Sequence, residues 1–221
     1  MSKDQKRLDL YAALMSEAKV RFDCLNFATK GKTQLPAPIV RELCYQQIRF
    51  LCELVCLSCL VAHGDVAELK GHKLGRAYSA DDIIKRMGAL RPHFYPLPIK
   101  EKIIGRVNEA NVHREIEAVE PSPLDKAELL SIYGSTHKHL HRGSLSGIMA
   151  SDTAWDLKLD VDDIVRTGQK FADLLSNHVI AINEQRIMLC NLVAANKGGR
   201  VAVAYAESPP PGIEPPPILA T

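Results

Sequence analysis

The chain has 221 residues, of which 46% are hydrophobic and 24% are charged, a composition typical of a globular protein with a core of its own. Its 28 basic and 26 acidic residues leave a net charge of +2, which argues against binding to polyanions by bulk charge alone. Aromatic residues make up only 5%, so aliphatic side chains must supply most of the core.

The N-terminal sequence and the cysteines favour a cytoplasmic protein without membrane contact. The first ten residues, MSKDQKRLDL, lack the apolar stretch of a signal peptide. The most apolar run, at 51–62, is too short to span a bilayer and contains Glu53. The six cysteines are crowded mainly into this part of the chain, which fits reduced, buried thiols better than a disulfide framework.

Apolar residues three and four positions apart predict three helices in the first ninety residues. A single apolar stripe over 8–25 predicts a helix of about six turns. A second helix, opened by Pro36, covers 39–62 and is apolar nearly all round in its second half, as is typical of a central helix. A capping box of Ser79 and Asp82 predicts a third, short helix.

Two further helices are predicted in the second half of the chain. The fourth begins near Asp125 and ends at Gly143, and Asp160 with Asp163 caps the fifth. The face of the fifth helix that turns to the core is predicted to hold Ile164, Val165, Phe171, Leu175 and His178.

Strands are predicted in two places. Alternating residues over 99–119 predict a small exposed hairpin. The runs VIAI, IMLCNLVA and RVAVAYA predict a three-stranded antiparallel meander, with Gly198 and Gly199 in one turn.

These elements predict a mostly α fold of the α+β class. One globular domain is expected over 1–206, built as a helical bundle to residue 178 and a β meander over 179–206. The residues from 207 to 221 are rich in proline and are predicted to be a disordered tail.

Cys52, Cys56 and Cys59 have the CxxxCxxC spacing that holds an iron–sulfur cluster in radical S-adenosylmethionine enzymes. Cluster ligands must converge on one point, whereas these cysteines lie along one face of an apolar helix. We therefore interpret them as buried structural thiols and predict no cofactor.

Arg49 and Glu53 stand four residues apart on the same helix. Charges on a mostly buried helix are costly unless they are paired, and this spacing favours a local ion pair. The alternative is that both side chains line a polar cleft between helices.

The segment STHKHLHRG at 135–143 contains three histidines at alternate positions. On a helix His137 and His141 share a face, as two metal ligands would, whereas His139 points away from them. Because no third ligand is evident in the sequence, we predict no metal site.

Positive charge is concentrated between residues 70 and 106, where nine lysines and arginines against three acidic residues give +6. Such a segment can attract an anion such as a phosphate backbone, and a solvated surface is the alternative. Lys73 and Arg76, in its glycine-rich loop, are candidate binding residues.

The residues LHRG at 140–143 resemble the end of the signature of HEPN domains, the higher eukaryotes and prokaryotes nucleotide-binding family. That family is a compact, commonly dimeric helical bundle, and many members are metal-independent RNases that use an arginine, a polar residue and a histidine on one helix. Their arginine precedes the histidine, where this chain has STH at 135–137. Arg142 or Arg49 would have to take its place.

The resemblance implies an RNA site at this helix end. Cleavage through the 2′-hydroxyl needs a base, an acid and a cation near the phosphate, and histidine titrates near neutral pH. His141 is the candidate acid or base, with His137 beside it, and Arg142 or Lys138 would stabilise the phosphate. A basic helix end that merely complements the helix dipole is the alternative.

Two classes of function therefore stay open. The first is a HEPN-like protein that binds or cleaves RNA. The second is a non-catalytic module for protein interaction or oligomerisation, such as a homodimer. For the first, the candidate binding residues are Arg49, Glu53, Lys138, Lys73 and Arg76.

Overall fold

The computed structural model describes residues 1–64, 79–106, 112–141, 159–194 and 198–207. Within these ranges the fold is α+β, as predicted, with five helices and a five-stranded antiparallel sheet. The elements in chain order are α1 (Lys3–Thr29), α2 (Ala37–Ala62), α3 (Ala80–Leu90), β1 (Leu97–Arg106), β2 (Val112–Ala118), α4 (Lys126–Leu140), α5 (Val161–Leu175), β3 (Asn177–Ala181), β4 (Arg186–Ala194) and β5 (Arg200–Glu207).

Side-chain caps begin three of the helices where the sequence predicts them. The Asp125 carboxylate accepts the backbone N–H of Glu128 at 2.8 Å and so starts α4. Asp160 accepts the N–H of Asp163 at 3.0 Å and starts α5, and Ser79 caps α3 in the same way. Each cap satisfies an N–H group that the helix cannot pair, which stabilises the helix by about 1 kcal/mol.

Helix α2 lies at the centre of the helical part, because α1, α3, α4 and α5 all pack against it. In the described part of the chain it is the one helix long and apolar enough to cross a bilayer. However, 61% of its most apolar 18-residue window is buried inside the protein, as expected for a core helix.

The cysteines of α2 pack as core side chains. Cys52, Cys56 and Cys59 have no exposed surface, and the Cys52 Sγ lies 3.9 Å from the carbonyl oxygen of Leu129 on α4. Burial raises the pKa of Cys56 to about 12, and it raises those of Cys52 and Cys59 as well. Thiols buried in apolar surroundings are unreactive, as expected for core side chains.

The sheet has the order β2-β1-β3-β4-β5. The predicted meander forms β3, β4 and β5, and the predicted hairpin forms β1 and β2. The hairpin joins the meander through the pairs Leu97–Val179 and Pro98–His178. Two of the five strands come from 97–118, so the part of the chain before residue 179 contributes to the sheet as well as to the helices. The predicted tail, apart from Glu207 at the end of β5, lies outside the described residues.

Three predicted positions on the helices were wrong. Helix α4 ends at Leu140, and His141 is its C-cap with extended backbone angles (φ −114°, ψ 142°), so the helix does not reach Gly143. Val165 does not face the core, since half of its surface is exposed. His178 belongs to β3 and not to α5.

His178 links the sheet to α1 through a buried hydrogen bond. Its Nε2 lies 2.6 Å from the hydroxyl of Tyr11, and its Nδ1 lies 3.0 Å from the carbonyl oxygen of Leu175. Because a carbonyl only accepts, the proton sits on Nδ1, and Nε2 accepts from the Tyr11 hydroxyl. Burial lowers the pKa of His178 to about 4, although the Leu175 carbonyl acts in the opposite direction. The imidazole is therefore neutral at pH 7.

A candidate functional site where α4 crosses α2

The packing of α4 on α2 brings Arg49 against three side chains of α4. The Arg49 guanidinium donates to the Tyr133 hydroxyl at 2.6 Å and to the Thr136 hydroxyl at 3.3 Å. One of its nitrogens also lies 3.4 Å from Nε2 of His137. Since arginine only donates, this contact places the lone pair of Nε2 towards Arg49.

Glu53 completes the contacts of Arg49. Its carboxylate lies 3.3 Å from the Arg49 Nε and accepts the Tyr133 hydroxyl at 3.3 Å. Burial raises the pKa of Tyr133, so its phenol stays protonated and can donate to the carboxylate. About a quarter of each charged side chain is exposed. The pair is thus both a local ion pair and part of a polar surface between two helices.

The two histidines on this face of α4 stack on each other. The rings of His137 and His141 have their centroids 5.2 Å apart and are inclined by 16°. Both residues are exposed. The extended backbone at His141 does not separate the two rings, and they form an open edge next to Arg49.

His139 lies on the other flank of α4, as predicted. It does not project freely into solvent, because its ring stacks on Tyr45 of α2 with a centroid distance of 3.6 Å and an angle of 1°. Helix α4 therefore carries imidazoles on two opposite flanks, and each flank has its own partner from α2.

Four of the candidate site residues come together in the structure: Arg49, Glu53, His137 and His141. Lys138 is exposed on the same turn of α4. Arg142, Lys73 and Arg76 lie outside the described residues.

Tyr133 and Thr136 belong to the cluster although they were not among the candidate site residues. Tyr133 precedes His137 by four residues, and His141 follows by another four. Residues at this spacing lie on one face of a helix, so the sequence pattern could have indicated that Tyr133 lies beside the two histidines. Arg49 stands more than eighty positions earlier in the chain, and its place beside this face depends on the packing of α2.

The cluster combines an arginine, its paired carboxylate and two exposed imidazoles. Arginine offers several donors to a phosphate, and exposed imidazoles can exchange protons with a bound group. Among the described residues, no group of three or more histidine, cysteine or acidic side chains is arranged to hold a metal ion. Comparisons with protein-family models, with curated proteins and with solved structures find no match.

Proposed function

We propose that the protein binds RNA at the edge formed by Arg49, His137 and His141 and cleaves it without a metal ion. The observation that carries this proposal is the contact between Arg49 and His137, 3.4 Å apart. Helix α4 carries the histidines that resemble the HEPN signature, but it lacks the upstream arginine of that signature. In this contact the arginine comes from α2. We therefore assign the role of the arginine to Arg49.

The arrangement suits transfer of a proton at each end of the scissile bond. One imidazole accepts the proton of the 2′-hydroxyl, whose oxygen then attacks phosphorus. A second imidazole, in its protonated form, gives a proton to the departing 5′-oxygen. We assign the two roles to the exposed pair of His141 and His137. The proton-giving role falls to His141, because Nε2 of His137 accepts from Arg49.

Arg49 would neutralise the charge that develops on the phosphate oxygens. Its bonds to Tyr133, Thr136 and Glu53 fix the orientation of the guanidinium. Arg49 should therefore lose little conformational entropy when RNA binds. Glu53 offsets part of the positive charge. Binding should therefore depend on the nearby Lys138 as well, and it should weaken as salt is added.

The proposal is tested by measuring binding and cleavage of a single-stranded RNA at low salt, in the presence of a chelator. We expect His141→Ala to lower the cleavage rate by about 100-fold or more, because general acid–base groups contribute on this scale. His93→Ala, which removes an exposed histidine elsewhere, is the matched control and should leave the rate unchanged. The proposal is wrong if the wild type neither binds nor cleaves RNA, or if His141→Ala keeps full activity.

A second function, self-association, is favoured by one observation on α1. Leu10, Val20 and Phe27 are each about half exposed or more, and they lie within about 100° of one another around the helix. These three side chains offer a second copy of the chain apolar contact points on a mixed face that also carries Lys6, Asp9 and Glu17.

Light scattering tests the second function. The wild type is expected to be a dimer and Val20→Asp a monomer, whereas Leu90→Asp, on α3, should remain dimeric. A monomeric wild type at micromolar concentration would refute the second function without bearing on RNA binding.

A further inference from the structure

A cleft lies on the His139 flank of α4, between α2, α4 and α5. Its volume is about 280 Å³. Drug-sized ligands occupy pockets of roughly 300–1,000 Å³, so this cleft suits a smaller molecule. Ile48 and Ile132 form its apolar part, and three hydroxyl side chains also line it: Ser131, Ser135 and Thr167.

One wall of the cleft is flat. The parallel rings of His139 and Tyr45 form it, and Tyr45 is the more deeply buried of the two. A planar group of a ligand would lie along this aromatic wall. Stacked aromatic pairs contribute free energy beyond that of the area they bury.

The charges of the cleft are balanced. Lys170 of α5 forms an ion pair with Glu128 of α4, and Arg166 forms another with Asp163 at 2.7 Å. The Tyr45 hydroxyl lies 3.5 Å from the Asp163 carboxylate. A free anion would meet the two carboxylates, and a free cation would meet Lys170 and Arg166. Neither kind of ligand is favoured by the net charge.

A zwitterion fits this pattern without breaking either ion pair. An ammonium has three donors and a guanidinium five, so Lys170 and Arg166 can serve a second carboxylate. The Glu128 and Asp163 oxygens can likewise accept an additional ammonium group. All four side chains are more than a third exposed, so the attraction is screened and the affinity should be modest.

We propose that the cleft between α2, α4 and α5 binds a free α-amino acid with a flat side chain. The ligand carboxylate would contact Lys170 and Arg166, and its ammonium would contact Glu128 and Asp163. Its ring would stack on His139. This inference concerns a different flank of α4 from the RNA edge and does not depend on the proposed function.

The test compares three ligands that differ by one charge each, measured by NMR titration at low salt. Phenylalanine is expected to bind with a dissociation constant of roughly 1 mM or below. Phenethylamine, which lacks the carboxylate, and 3-phenylpropionate, which lacks the amine, should each bind at least about 10-fold more weakly. Equal binding of either analogue would overturn the inference, as would the absence of saturable binding by phenylalanine.

Variants locate the binding site. Ser131→Phe fills the cleft from an exposed position and should abolish binding. Lys170→Met should weaken the binding of phenylalanine but not that of phenethylamine, because it also leaves Glu128 without its partner. Gly134→Ala is the control on the same helix, because its added methyl group meets no atom within 4 Å and should not alter binding. Phenylalanine binding that survives in Ser131→Phe would overturn the inference. If the protein binds phenylalanine but not RNA, this inference holds and only the proposed function is wrong.

Discussion

Two regions of the molecule join a histidine to a polar partner from another element, and they do so in opposite environments. His178 and Tyr11 are both fully buried, and the imidazole has a defined partner at each nitrogen. His137 and His141 lie at the surface beside Arg49, which has partners on two helices. The first pair connects α1 to the sheet, whereas the second leaves two imidazoles accessible to a ligand.

The difference teaches that burial decides what a histidine can do. At His178 the cost of charging the ring in the core lowers its pKa to about 4 and removes it from acid–base chemistry at neutral pH. At the surface edge the imidazoles of His137 and His141 are exposed and accessible to a ligand from solvent. Substitutions should therefore affect mainly stability in the first region and mainly ligand binding in the second.

The largest expected effect on stability concerns His178 and pH. His178 binds a proton near pH 6.5 in the unfolded chain and only near pH 4 in the folded chain. Its contribution to the free energy of unfolding is therefore complete above pH 6.5 and is lost as the pH falls from 6.5 to 4. The loss should reach about 3 kcal/mol. Urea unfolding at pH 7 and at pH 4.5 measures it, and His178→Gln should lose most of this dependence.

His93→Ala serves as the control in these unfolding measurements, because an exposed histidine should leave the pH dependence as in the wild type. If His178→Gln keeps the full pH dependence, the buried pair is not its source.

Tyr11→Phe should have the next largest effect. It removes the hydroxyl that donates to His178 and leaves a buried nitrogen without its donor, which costs about 1–3 kcal/mol. The free energy of unfolding at pH 7 measures the change. A loss well below 1 kcal/mol would mean that water replaces the phenol, and that the region is less closed than described.

Arg49→Gln should cost less than about 1 kcal/mol of stability, because the ion pair with Glu53 is partly exposed and such pairs contribute little. RNA affinity should nevertheless fall. The plot of log binding constant against log salt concentration should become shallower, its slope shrinking in magnitude by about one. Unfolding and binding measured on the same preparation separate the two effects. A large loss of stability with unchanged RNA affinity would place Arg49 with the structural region instead.

Gly134→Ala should have the smallest effect and the opposite sign. Glycine inside a helix is less favourable than alanine by up to about 1 kcal/mol, and a Cβ at this position meets nothing within 4 Å. We expect α4 to gain roughly 0.5 kcal/mol without any change at the RNA edge. A destabilised variant in thermal unfolding would contradict the open space around this position.

Local patterns predicted the helices better than the sheet. The apolar stripes and the caps at Ser79, Asp125 and Asp160 are encoded within one or two turns, and the helices begin at them. The joining of β1 to β3 pairs Leu97 with Val179 across more than eighty residues, and no local pattern specifies such a partner.

The same limit applies to the candidate site. The spacing of His137 and His141 predicted that they share a face, and their stacked rings bear this out. The sequence could not show that Arg49 and Glu53 reach that face, or that His139 stacks on Tyr45, because both contacts depend on how α4 packs on α2. It also could not show that His141 leaves the helix, since the expected stop at Gly143 was the nearest breaker in the sequence.

The most direct test of the central proposal is an NMR titration that follows the histidine ring signals as a short single-stranded RNA is added at low salt. The signals of His137 and His141 should shift saturably with RNA, while that of His178 stays in place because its ring is buried and fully engaged. Unchanged signals of His137 and His141 at saturating RNA would contradict the assignment of this edge as the functional site.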